Sequence, residues 1–220
     1  MKKVVALIPI KLNNQRLPGK NTKPLGDKVL CQYLFDTLRQ VEIIDEAYVF
    51  CSDDSIRQYM PDEIHFLQRP KQLDTDSTKS KDIIQKFIET VDSDIYALMH
   101  VTQPFIKAGT IADTVSKVKE EDYDSAFVAH QIREFAWYDG KPINYSLTNV
   151  VRTQELEPVY VEGELFVFEK SVFTEKGRRI GERPWIQPIS WKESICIDDM
   201  EDFEMAQAVV ELEKRNERYS

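Results

Sequence analysis

Short apolar runs alternate along the chain with stretches in which apolar positions recur every three or four residues. Val4–Pro9, Glu46–Ser52, Asp94–Val101 and Asp124–His130 are apolar at odd and even positions alike, as expected of strands covered on both faces. Between them, Val29–Gln40, Ser80–Val91 and residues 109–121 carry helical stripes; Ile83, Ile84, Phe87, Ile88 and Val91 form one, and Ile111, Val115 and Val118 another. Strand–helix alternation of this kind predicts right-handed crossovers and a three-layer α/β/α fold with a mainly parallel sheet. Regular patterning resumes at Glu164–Glu169, passes a basic turn around Arg178 and Arg179, and continues at residues 184–190. It closes in a helix capped by Asp199 and Asp202, with Phe203, Ala206 and Val210 inward.

One segment breaks the pattern. Residues 131–163 have no clean period, contain Pro142 and Pro158, and scatter aromatics at positions 135, 137, 138, 145 and 160. A structureless loop of that length is uncommon in a compact domain unless it has a task. The division expected is therefore residues 1–130 and 164–220 as one α/β domain, with 131–163 as an inserted arm docking on a second subunit to make a homodimer.

With 220 residues, the chain is long enough to bury roughly 70% of its unfolded surface without a disulfide or metal staple. Its net charge of −9 argues against a nucleic-acid partner, because phosphate backbones require a basic face. Cys31, Cys51 and Cys196 lie far apart, which indicates neither a disulfide framework nor a thiolate zinc site. The apolar run behind Lys2 and Lys3 stops at Lys11, and no run approaches the roughly 20 residues that cross a bilayer. No membrane partner is expected, and the reading is cytoplasmic.

The acidic balance makes the first loop stand out. Lys11, Arg16, Lys20 and Lys23 follow the first strand, interleaved with Asn13, Asn14, Gln15 and Asn21. Ligands of open α/β sheets bind outside the carboxyl ends of the strands, where this loop lies. It contains neither G-x-G-x-x-G nor the P-loop spacing. Backbone N–H groups near Gly19 with the ammonium groups of Lys11 and Lys20 nevertheless suit a triphosphate.

The stretch IPIKLNNQRLPGKN followed by KPLGDKVL resembles the opening of the sugar-activating cytidylyltransferases, above all the CMP-N-acylneuraminate synthetases. FCSDDSIRQYM, LQRPKQLDTDSTKSKDII and SICIDDMEDFEMA match further family segments in the same order. The resemblance implies a Rossmann-like nucleotide-diphospho-sugar transferase fold. It also implies attack by a hydroxyl of a sugar acid, sialic or a related nonulosonic acid, on the α-phosphate of CTP, with pyrophosphate leaving. Lys11, Lys20 and Asp198 become the catalytic candidates. Nucleotide contacts fall on Lys11, Asn13, Gly19, Lys20, Asn21, Arg69, Thr78 and Ser80, although Ser80 also suits the N-cap of its helix. The sugar acid falls against His100, Gln103, Tyr160 and Glu162. Mg2+ is implied as cofactor, with Asp198 as its ligand.

This chain departs from the family pattern at several points. Lys11 stands where arginine is usual, and Cys196 where the first metal-associated aspartate is expected. The N-G-A segment of the sugar site reads EGELFVF, which introduces Glu162 and Glu164. Asp-x-Asp pairs such as Asp74/Asp76 leave open a glycosyltransferase of related architecture, and Cys196 leaves open a non-catalytic nucleotide or sugar sensor.

Overall fold

The computed structural model describes residues 2–218 except Asp76, with nothing stated of the side chains at 217 and 218. The Asp74/Asp76 pairing thus falls partly outside the described residues. In chain order the elements begin with β1 (Val4–Ile10), the hairpin β2 (Pro24–Leu25) and β3 (Lys28–Val29), α1 (Leu30–Leu38), β4 (Glu46–Cys51) and β5 (His65–Gln68). Next come α2 (Ser80–Ile88), β6 (Ile95–Met99), α3 (Ala108–Lys119), β7 (Ser125–Ile132), and the small hairpin β8 (Trp137–Tyr138) and β9 (Lys141–Pro142). The chain finishes with β10 (Val159–Glu169), α4 (Lys170–Lys176), β11 (Pro184–Ile189) and α5 (Met200–Arg218).

Seven strands form one sheet in the order β11-β7-β10-β6-β1-β4-β5. β1 pairs in parallel with β4 and β6, and β7 in parallel with β11, while β10 runs antiparallel to both its neighbours. The reversal has a simple cause: β7 and β10 are joined by the arm and not by a helix, so the chain returns along the strand it has just left. Alternation along β1 divides the core. Val4, Ala6, Ile8 and Ile10 pack beneath α1 and α3, with Leu34, Phe35, Ile111 and Val115. Val5 and Leu7 face α2 and α4, through Ile84, Phe87, Val172 and Phe173. A third cluster seats Phe203, Ala206 and Val210 of α5 on Leu25, Leu30, Phe105 and Ile197. Every residue of β6 is buried, as a strand covered on both faces requires.

β5 and α4 are elements that periodicity did not announce. Both are short, and α4 begins at Lys170, the residue after β10 ends, so no turn signal separates them.

The arm leaves the sheet as a continuation of β7 and β10. Between Glu162 and Phe166 the pairing with β7 slips, and Gly163 sits in that irregularity. A Cβ there would lie 2.8 Å from Val128 Cγ2 and 3.2 Å from Gln103 Nε2, so close approach explains the glycine. Beyond the sheet, Asn144 bonds Ala136 N, Glu134 O and Glu157 O, and Phe135 and Trp137 both pack edge-on to Tyr145. Trp137, Tyr138, Leu147 and Val150 are more than half exposed.

Candidate active site

The loop after β1 closes over the carboxyl ends of β1, β4 and β6. Gly19 makes this possible with φ of 67°, a left-handed conformation that side chains resist. It turns the chain so that Lys20 points inward, 7% exposed, where Nζ donates to Ile197 O at 2.7 Å and meets Asp198 Oδ1 at 3.2 Å. Arg16, from the exposed rim of the loop, reaches the same oxygen at 3.1 Å. Asn21 ties the loop to its own base, Nδ2 donating to Lys11 O at 2.9 Å. Asp198 is held from behind: its backbone N–H donates to Asp202 Oδ2 at 2.8 Å, and Asp202 N to Asp199 Oδ1 at 3.1 Å, so the expected α5 cap is present.

Two chambers open on either side of this cluster, of about 420 and 320 Å³, and both are lined by Lys11, Asn14, Arg16, Lys20 and Asp198. The larger extends past Arg69, Leu73, Thr75, Thr78 and Ile83. Arg69 is 2% exposed; Nη2 donates to Asp74 Oδ1 at 2.7 Å, and Asp74 also accepts from Ser52. Burying a guanidinium is costly unless it is paired and bonded, which the Asp74 contact supplies. Thr78 exchanges a 2.8 Å hydrogen bond with Thr75. Among the described residues, Asn14 Oδ1, Asn21 Oδ1 and Arg69 Nε are buried in these walls without a protein partner. They are polar groups of the kind a bound polar ligand satisfies.

The smaller chamber reaches His100, Thr102 and Glu164. His100 follows β6 and Glu164 lies opposite it on β10, with His100 N donating to Glu164 O at 3.2 Å and the side chains meeting at 2.5 Å, Nδ1 to Oε2. The hydrogen bond from His100 holds the Glu164 carboxyl below the usual range, against the opposing effect of burial. Cys196 Sγ lies 3.6 Å from Thr102 Oγ1 and 3.9 Å from Glu164 Oε1. Burial, then the Glu164 charge, push its thiol up to about 11, so at neutral pH it is a protonated, uncharged group.

The remaining sequence-derived candidates are dispersed. Asn13 lines a separate hollow with Ser52, Asp53 and Asp74. Ser80 is exposed at the first turn of α2; Lys79 is the cap residue, its N–H donating to Asp82 Oδ2 at 3.0 Å, which corrects the capping role expected of Ser80. Gln103 is 1% exposed, with Oε1 accepting from Glu164 N at 2.7 Å and Nε2 donating to Glu193 O at 2.6 Å; it braces β10 against the 190s segment. Tyr160 lies out on the ribbon beside Gln131, and Glu162 pairs with Arg179 at 3.7 Å. Neither lines the chambers. Arg16 and Glu164, by contrast, are in the site without having been assigned a contact there; the signal for Arg16 was its place in the cationic loop, and for Glu164 its departure from the family pattern. A further surface hollow near Asp36, Arg39 and Glu63 lies at the opposite end of the sheet.

Magnesium can be tested against these residues. Among the described residues no group of three His, Cys, Asp or Glu side chains is arranged to hold a metal. Asp198 is the carboxylate beside the cations, and Cys196 is a neutral thiol, a poor partner for a hard ion. One carboxylate completed by substrate phosphates is a pattern magnesium accepts, so the residues fit on that basis.

A family model described as Cytidylyltransferase matches residues 5–214. The chain is 24% identical over 229 residues to the N-acylneuraminate cytidylyltransferase of Escherichia coli O18:K1:H7, covering 97% of this chain and 53% of that protein. It is 24% identical over 126 residues to 3-deoxy-manno-octulosonate cytidylyltransferase 2 of Hydrogenovibrio crunogenus, covering 57% and 50%. The chain thus spans about half the length of the curated relatives it matches. Among solved structures, a CMP:2-keto-3-deoxy-manno-octonic acid synthetase complexed with CTP superposes with a TM-score of 0.72 at 15% identity, covering 96% of this chain and 99% of that one. A 4-diphosphocytidyl-2C-methyl-D-erythritol synthase from Anaerococcus prevotii gives 0.69 at 15% identity and 96% of both chains. These likenesses bear on the fold: the mainly parallel seven-stranded sheet is that of Rossmann-like nucleotidyltransferases.

Proposed function

We propose that this chain, which belongs to the cytidylyltransferase family, joins the CMP group of CTP to a hydroxyl of a sugar acid and releases pyrophosphate. The observation that carries the reading is the wall shared by the two chambers, where Lys11, Arg16 and Lys20 converge between spaces of about 420 and 320 Å³. A triphosphate laid across that wall puts its α-phosphorus at the junction, within reach of an acceptor in the smaller chamber. Arg69, Thr78 and the loop backbone then take the nucleoside end. The reaction needs little covalent help from the protein; positioning and neutralisation of charge on the leaving pyrophosphate supply most of the acceleration. Asp198 and the phosphates would hold Mg2+, which when bound neutralises part of that charge.

The acceptor class follows from the relatives, which are named for N-acylneuraminate and 3-deoxy-manno-octulosonate. A nonulosonic acid such as sialic acid is the proposed acceptor. Two copies of the chain are proposed to dock through the arm, because Trp137, Tyr138, Leu147 and Val150 expose apolar surface in one contiguous stretch. The test is pyrophosphate release with each of the four nucleoside triphosphates, against N-acetylneuraminate, 3-deoxy-manno-octulosonate and a 2C-methyl-D-erythritol phosphate. Release with CTP and a sugar acid is expected. Release with none of the acceptors, or with the erythritol phosphate alone, would overturn the reading.

A further inference from the structure

We propose that His100 is the general base that takes the proton of the acceptor hydroxyl, and that Glu164 is the positioning residue that sets its tautomer. The inference rests on the transfer reaction proposed above and adds the proton's destination. Geometry leads to it. Glu164 Oε2 is 2.5 Å from His100 Nδ1. Glu164 is held in its anionic form by that contact and by the nearby Arg179 charge. An anionic carboxylate only accepts, so Nδ1 must carry the hydrogen, and when the ring is uncharged its lone pair lies at Nε2. The side chain is 27% exposed and lines the smaller chamber. Among the described residues no protein group bonds Nε2.

The other chamber residues are unsuited to the task. Lys11, Arg16 and Lys20 as cations have no lone pair to offer. Asp198 is engaged by Arg16 and Lys20 at 3.1 and 3.2 Å. Cys196, from the 195–198 segment, is a protonated thiol beside Glu164. Arg179, following α4, acts on Glu164 by its charge while pairing with Glu162 at 3.7 Å. As the acceptor oxygen bonds to the α-phosphorus, its proton passes to His100 Nε2. The bond from the α-phosphorus to the bridging oxygen breaks with its electron pair on pyrophosphate. The imidazolium formed is stabilised by the Glu164 carboxylate, and no further reactant is needed. General-base assistance of this kind contributes about 10²–10⁴-fold.

Two measurements test the pair, one independent of turnover. In long-range ¹H–¹⁵N spectra of the ligand-free protein, recorded at a pH where the ring is uncharged, His100 is expected as the Nδ1–H tautomer, with Glu164→Gln shifting it towards a tautomer mixture. In pyrophosphate release with CTP and N-acetylneuraminate or 3-deoxy-manno-octulosonate, His100→Gln should lower kcat by about 10²-fold or more with the KM for CTP changed less than about threefold. Added imidazole should partly restore His100→Ala. A His100→Gln enzyme with near-normal kcat, or His100 found as the Nε2–H tautomer, overturns the proposal. If the unaltered protein turns over with neither acid, the transfer reading fails on its own, and the base assignment falls with it.

Discussion

Lys20 and Asp198, separated by 178 positions in sequence, form an ion pair of 3.2 Å whose lysine is buried and whose aspartate is half open to the cleft. The pair joins the first loop of the sheet to the cap of the last helix, so the charge proposed to meet the triphosphate and a structural brace share one side chain.

Lys20→Ala should therefore lower kcat/KM for CTP by about 10²–10³-fold, the usual loss when one preorganised charge contact is removed. It should also lower stability by about 1–2 kcal/mol, because Ile197 O loses its donor in a buried setting. Steady-state pyrophosphate release and urea unfolding read the two effects separately; near-normal kcat/KM would remove the first loop from the chemistry.

At the proposed metal position, Asp198→Asn should abolish most magnesium-dependent activity, whereas Cys196→Ser, one neutral group for another, should change it little. Cys196→Asp restores the family's residue but places a carboxylate where Sγ now lies 3.9 Å from Glu164 Oε1. Like-charge repulsion should then raise the pKa of one of the two acids. Magnesium titration of pyrophosphate release across the three variants decides the matter: collapse with Cys196→Ser and retention with Asp198→Asn would reverse the assignment.

The buried Arg69–Asp74 pair should be structural as well as ligand-facing. Asp74→Ala leaves a guanidinium uncompensated at 2% exposure and should cost about 3 kcal/mol in urea unfolding. A change under about 0.5 kcal/mol would show that solvent reaches Arg69 freely.

Acid should loosen the smaller chamber. The His100 contact depresses the folded-state pKa of Glu164 below its ordinary 4.5. A depressed carboxyl contributes stability that is fully present above its unfolded pKa and is lost as pH falls from about 4.5 through the folded value. Chemical unfolding of Glu164→Gln between pH 6 and pH 3 should show a shallower loss than the unaltered chain; parallel curves would deny Glu164 a share.

The arm offers a test by mass. Trp137→Glu with Leu147→Glu should convert a dimer into a monomer in light scattering at micromolar concentration, since both side chains are more than half exposed in one chain. A monomeric mass for the unaltered protein would refute the arm's role.

Much of this was legible in one dimension because its causes are local. Helical stripes such as Ile84, Phe87 and Ile88, and strands apolar at every position, announce themselves through periods of 3.6 residues and of continuous burial, whatever lies across from them. The cationic loop was legible for a similar reason: Gly19, Lys20 and Asn21 are consecutive, and their charge contrasts with an acidic chain. What the tertiary structure alone decided depends on pairs distant in sequence. The reversal of β10, the slip at Gly163 and the close approach that excludes a Cβ there arise from pairing with β7. His100 and Glu164 are 64 positions apart and become partners because β6 and β10 run antiparallel side by side. Gln103 offered the same amide to any reader of the sequence. Only the approach of Glu164 N and Glu193 O from two other segments turns that amide inward as a brace, since a buried amide must satisfy both of its ends.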